Sequence, residues 1–215
     1  MKPIKMLGLA ALAALMAMAF IGSSSAMANN GTALCKEDPL VEDVKEHLDL
    51  CAEAARVKHV HEETLEGAKG KLLSSVLNVE CDALFLGDVL TAGWLATNPN
   101  PLVISGKFTY SNCNSGCTAT EENGPSEIKV VKEGHELAKI TGKGLVHLVC
   151  SGFINCRYTG EGLTGHGLGP LLSELETGDV FISEQTTAKE SGTFCPSTAK
   201  LDLDFHPLEP VYIGS

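Results

Sequence analysis

Aromatic residues are scarce in this chain: one Trp, three Tyr and seven Phe among 215 residues. Glycan-binding surfaces usually present exposed aromatic platforms, so the scarcity counts against that class. Positive charge is also short, with 16 Lys and Arg against 27 Asp and Glu and a formal net charge of -11. Nucleic acids and anionic membranes are recognised through basic patches, so neither is an expected partner. The acids are dispersed without a long run of like charge, which reads as a solubilising surface and not as an acidic recognition tail. Beyond Ile21 no apolar run approaches the ~20 residues of a membrane span, so no insertion is expected once the N-terminus is removed. The chain holds no G-x-S-x-G, no H-E-x-x-H and no Walker-type loop.

What is present begins with an export signal. Lys2 and Lys5 form a basic start, Met6 to Ile21 is apolar, and Ala26-Met-Ala28 offers the small residues that a signal peptidase reads. The expected division is a signal peptide over 1–28, a partly helical N-terminal segment over 29–56, and a β-rich domain over 57–215. Loss of Lys2 and Lys5 with the signal leaves the mature chain more acidic still. The compartment is secreted or cell envelope.

Eight cysteines follow the signal: Cys35, Cys51, Cys81, Cys113, Cys117, Cys150, Cys156 and Cys195. An even count in an exported chain reads as four disulfides. Turn residues in Cys113-Asn-Ser-Gly-Cys117, and Gly152 between Cys150 and Cys156, favour two local bridges. Cys35 with Cys51 would clip the N-terminal segment, and elimination leaves Cys81 with Cys195. The C-x3-C and C-x5-C spacings are not those of a four-thiolate zinc site, and the first lacks the tight spacing of a redox pair.

Pro39 to Val57 is the one helix-like stretch, with Leu40, Val41, Val44, Leu48, Ala52 and Ala55 at helical spacing. From Val57 the pattern turns to short strands. Leu102, Ile104, Phe108 and Tyr110 share one face of a strand; Leu201, Leu203 and Phe205 share a face opposite Asp202 and Asp204. Further strands are expected over 71–79, 83–90, 117–122, 127–132, 136–141, 145–150, 154–159 and 179–189. Many short strands with turn signals between them predict an all-β domain, a β-sandwich or irregular β-barrel, stapled by disulfides.

Candidate chemistry is thin. His59-Val-His61 places two imidazoles on one strand face, and Glu66 adds a carboxylate, a spacing that echoes the first metal motif of cupins. The second cupin motif is absent, and His147 or His166 would have to complete the site through folding. Asp202 and Asp204 share a face, where two carboxylates could bind calcium or act as an acid/base pair, but the alternation reads as the polar side of an amphipathic strand. Ser197-Thr-Ala-Lys200 matches S-x-x-K by chance, since it leads into a strand and has no partner motifs. The glycine-rich stretch Gly160 to Gly169 predicts tight turns and a strand with close backbone approach, not a phosphate cradle. Asn30-Gly-Thr32 is a sequon by chance.

The stretches SSVLNVECDALFLG, SGKFTYSNCNSGCTATEENGP, HLVCSGFINCRY and ESGTFCPSTAKLDLDF resemble exported, cysteine-containing β-proteins found in many copies in some soil bacteria. The resemblance runs from about Val57 to the C-terminus. It implies an all-β exported domain of bacterial origin and brings no catalytic residues. Cys35 to Arg56 departs from the pattern.

The expectation is therefore a non-enzymatic exported domain with no cofactor, acting in structure or binding. Two alternatives stand beside it. One is an extracellular metal-binding protein or metal-dependent enzyme using His59 and His61. The other is a glycan-binding module that exposes Trp94 and Tyr110 together.

Overall fold

The computed structural model describes residues 32–37, 55–64, 69–90, 101–173 and 176–214. The expected signal over 1–28, Cys51, Glu66, Trp94, Asn30 and most of the expected helix at Pro39–Val57 lie outside the described residues. Residues 31–215 form one compact unit.

The described chain is almost entirely β. Its strands are β1 (Ala33–Cys35), β2 (His59–Thr64), β3 (Gly70–Leu73), β4 (Asn78–Val89), β5 (Leu102–Ser111), β6 (Cys117–Glu121), β7 (Ser126–Gly134), β8 (Leu137–Cys150), β9 (Asn155–Leu168), β10 (Asp179–Thr193), β11 (Thr198–Pro207) and β12 (Tyr212–Gly214). Every pairing is antiparallel. β4 pairs β5, β5 pairs β7, β7 pairs β8, β8 pairs β9, β9 pairs β10 and β10 pairs β11. β11 returns to β2 and β3, which both pair β4, so the sheet closes on itself. Of the two expected architectures, the barrel is the one formed. Closure removes the exposed edges that an open sheet of this size would present.

Two positions in the wall are shared. β2 and β3 follow one another between β4 and β11, and β6 and β7 follow one another beside β8. At each break a backbone amide of the neighbouring strand loses its partner. Side chains supply the replacement. The Ala83 amide donates to Thr64 Oγ1 at 3.2 Å, and the Phe108 amide donates to the Glu121 carboxylate at 2.7 Å. An unpaired buried amide costs as much as a lost hydrogen bond, so both contacts seal the wall.

Alternation sets which side chains point inward. On β4, Val79, Cys81, Ala83 and Phe85 are buried, while Glu80 and Asp82 face out. On β5 the expected face of Leu102, Ile104, Phe108 and Tyr110 points inward, as does that of Leu201, Leu203 and Phe205 on β11. Phe108 is central, with ring centroids 4.7 Å from Phe85 and 5.9 Å from Phe205. The inward Gly106 lies against Phe85, and a Cβ there would overlap that ring and the Leu86 carbonyl. The segments expected as separate strands at 136–141 and 145–150 form one strand, β8, with a bulge at Gly142/Gly144 that keeps both halves paired to β9.

The two ends of the barrel differ. At one, β1 pairs β12 as a small lid, and Leu34, Val211 and Ile213 pack onto the interior. Glu136, in the β7–β8 turn, is fully buried there and accepts the Ile213 amide at 3.1 Å. The Lys132 amide donates to Thr32 Oγ1 at 2.8 Å and ties the lid to the wall. At the other end lie the turns β3–β4, β5–β6, β8–β9 and β10–β11, with three disulfides.

Candidate functional site

The disulfides join Cys81 to Cys113, Cys117 to Cys150 and Cys156 to Cys195. This corrects the expected Cys113–Cys117, Cys150–Cys156 and Cys81–Cys195 pairs. Strand register is the reason. Cys117 stands opposite Cys150 across β6 and β8. Across the β8–β9 turn, Cys156 stands opposite Leu148, and the Cys150 amide donates to the Ile154 carbonyl, so those two cysteines do not face each other. Cys35 is also disulfide-bonded; its expected partner, Cys51, lies outside the described residues. Disulfides of this kind persist in an oxidising, extracytoplasmic setting. No helix among the described residues is long and apolar enough to cross a membrane.

The bridges lace one rim of the barrel. They tie β4 to the β5–β6 loop, β6 to β8, and β9 to the β10–β11 loop. Hydrogen bonds between loops add to this: the Ser151 amide donates to the Gly116 carbonyl at 3.1 Å, and the Glu80 amide donates to Asn114 Oδ1 at 3.1 Å. The loops and adjoining strand ends, residues 72–79, 108–120, 148–156 and 191–199, contain no Asp, Glu, Lys, Arg or His. Yet Val76, Phe153 and Phe194 project from them, 73%, 83% and 72% exposed. The rings of Phe153 and Phe194 lie 6.5 Å apart at 55°. Phe194 has φ of +59°, a backbone region that bulky side chains rarely occupy. Such strain persists where surrounding structure enforces it, and it clusters at functional sites. Here the Cys156–Cys195 bridge adjoins it.

The interior offers little room. Two cavities of about 70 Å³ each lie on either side of Phe108, Ile128, Ile140 and Ile182, which line both. The one toward the lid is apolar apart from Glu62 and Asp179. Burial, with Asp179 nearby, pushes the Glu62 carboxyl up to about 7. Asp179 is itself raised by burial and by its hydrogen bond with Asp204. The other cavity holds Tyr110, whose phenol burial raises well above its usual range. Tyr158, fully buried, donates its hydroxyl to the Pro196 carbonyl at 3.1 Å, anchoring the rim to the interior.

The remaining expected residues are dispersed. His59 and His61 both face outward from β2, as strand geometry requires, and His59 pairs with Asp88 at 2.6 Å. His147 lies on β8, at the opposite side of the ring, where it contacts Glu122 at 3.0 Å and Asn155 at 2.8 Å. Arg157 also binds Glu122, at 2.6 Å, and is the main cause of that carboxyl's lowered pKa. His166 packs on Phe181. None of these meets His59 and His61, and the described residues contain no group of three or more His, Cys, Asp or Glu that could hold a metal ion. Asp202 accepts the Glu184 amide and so holds the β10 bulge, while Asp204 pairs with Asp179. Lys200 reaches the Glu184 carbonyl at 3.1 Å, away from any nucleophile role with Ser197. Gly160 to Leu168 runs along β9, where Gly165 lies against the Phe181 carbonyl, and Gly169 just beyond it lies against the Glu136 carboxylate. Of the expected Trp94/Tyr110 platform, Trp94 lies outside the described residues, and Tyr110 faces inward and stacks on Phe108.

No family model, curated protein or solved structure matches this chain.

Proposed function

We propose that the chain is an exported, non-enzymatic β-barrel that acts by binding in the envelope or outside the cell, and that it binds through the disulfide-laced rim. The single observation that carries this reading is the pairing of Phe153 and Phe194 at the tips of loops that bear no charge. Loops fixed on a rigid scaffold are where binding residues concentrate, and contiguous exposed apolar groups mark interaction sites. The export signal expected at 1–28 and the disulfides favour an extracytoplasmic place of action.

A neutral glycan suits the chemistry of this face. Sugar C–H faces pack on aromatic rings, and the hydroxyls would meet Ser197 and the hydrogen-bonding capacity left on Asn112, Asn114 and Ser151, which already bind Asp82, the Glu80 amide and the Ser115 carbonyl. No charged group has to leave water when such a ligand docks. The interior cavities are less suited to a ligand, because aromatic side chains occupy the space that wider barrels leave open. The test is co-sedimentation of the oxidised protein with an insoluble neutral β-glucan, compared with a Phe153→Ser/Phe194→Ser variant.

A further inference from the structure

The interior cavity at the lid end of the barrel is walled by apolar side chains and Gly167 wherever β4, β5, β7, β8 and β9 face it, and Leu34, Val211 and Ile213 roof it. Against this setting stand two carboxyls, Glu62 from β2 and Asp179 from β10. Asp204 of β11 pairs with Asp179. His206, two residues further along β11, alternates outward and lies 3.9 Å from Glu63. Glu136, at the same end, is turned to the Ile213 amide. Among the described residues no Lys, Arg or His lines the cavity. No described residue donates a hydrogen bond to the Glu62 carboxyl, and buried Asp179 Oδ1 accepts none either. Buried carboxyl oxygens without donors are costly and call for an explanation. Burial, with Asp179 nearby, pushes Glu62 up to about 7, so above that pH it ionises beside a second carboxylate.

We infer that this cavity binds a small primary amine, its ammonium group held by Glu62 and Asp179 and its short apolar chain packed on the surrounding walls. An ammonium carries three donors and no acceptor, which suits carboxylates that only accept. Its charge also relieves the repulsion between the two acids. A bare inorganic cation would have to shed its water against walls that offer no oxygen. Size sets the class further. The cavity holds about 70 Å³, about half of the ~150 Å³ that accommodates a benzene ring, so it admits about four non-hydrogen atoms in a chain. The aromatic side chains that close the interior to a glycan leave this much room. The site is independent of the rim, which lies at the other end of the barrel.

The test is a proton–nitrogen NMR titration of the oxidised full chain with n-propylammonium chloride at constant ionic strength. The amides of Phe85 and Ile213 report, since both side chains line the cavity. The expected result is saturable shifts at pH 8 with a dissociation constant in the millimolar range, as a ligand of this size allows. The neutral isostere 1-propanol should bind at least tenfold more weakly. Between pH 8 and pH 5.5 the amine's affinity should fall roughly 30-fold, because Glu62 takes up its proton over that interval. Glu62→Gln should weaken amine binding at least tenfold at pH 8. That variant removes a charge that burial disfavours, so it should melt no lower than the wild type, and lost binding then reports the site and not the fold. Absence of saturable shifts at these amides overturns the inference. So does 1-propanol binding as tightly as the amine, or an affinity that neither pH 5.5 nor Glu62→Gln alters.

Discussion

The Glu121 carboxylate accepts the Phe108 amide at 2.7 Å where β6 gives way to β7, standing in for a missing strand. It also accepts the Ser126 hydroxyl at the start of β7, so one side chain stitches both sides of the break. Removing it leaves an interior amide without a partner. Glu121→Ala should therefore destabilise the fold by about 1–3 kcal/mol, and Glu121→Gln, which keeps an acceptor, by less. Urea unfolding of the oxidised protein checks both. Equal losses would show that the carboxylate's hydrogen bond is not what holds the seam.

The rim bridges make a second, direct prediction. Non-reducing peptide mapping should recover Cys81 with Cys113, Cys117 with Cys150, and Cys156 with Cys195. Cys117→Ala/Cys150→Ala opens a loop closed over 33 residues. In the chain-entropy account that costs about 3–4 kcal/mol, readable as a lower urea midpoint. Recovery of a Cys113–Cys117 peptide would contradict the strand register.

Glu62 gives the stability a pH dependence of known sign. An unfolded Glu titrates near 4.5, and the folded one is raised to about 7. Between these values the folded state holds a proton that the unfolded state has released, so this group's contribution falls as pH rises. Below about 4.5 the effect vanishes, and above about 7 it is complete. Glu62→Gln should thus stabilise the protein at pH 8 by up to about 3 kcal/mol and change little at pH 4. Asp179, raised by the same burial, steepens the acid side of the profile in wild type. Parallel stability curves for wild type and variant from pH 4 to 8 would refute the buried-carboxyl account.

Gly106 tests the packing of the interior. A methyl group there meets the Phe85 ring and the Leu86 carbonyl. Gly106→Ala should cost about 1–3 kcal/mol, the range for overpacked cores. Gly134→Ala, whose new methyl meets Leu137 at 3.8 Å, should be nearly neutral by comparison. Thermal melts of the two variants decide the matter, and similar losses would mean that Phe85 yields easily.

Much of the barrel is legible in the sequence because strand alternation is a local signal. Leu102 to Tyr110 and Leu201 to Phe205 declare their buried faces outright. The cysteine pairing is not legible in this way, because it depends on register: a shift of two residues sets Cys156 against Leu148 and not against Cys150. The lid escaped for a different reason. β1 and β12 are three residues each, too short to carry a periodic pattern, and their pairing joins residues far apart in sequence. Buried Glu136 gives no signal either, since its partner amide at Ile213 is 77 residues away. The rim does carry a sequence signal. Its four charge-free stretches coincide with the segments that carry Cys81's neighbours, Cys113, Cys117, Cys150, Cys156 and Cys195. What sequence does not show is that these stretches meet at one end, or that Phe153 and Phe194 stand together.

The most direct test is therefore retention on insoluble neutral β-glucan, measured as bound against free oxidised protein at physiological salt. The account predicts saturable retention of the wild type, at least a tenfold loss in Phe153→Ser/Phe194→Ser with an unchanged melt, and little change with added salt, since no charge takes part. No retention of the wild type, or equal retention of the variant, would contradict it.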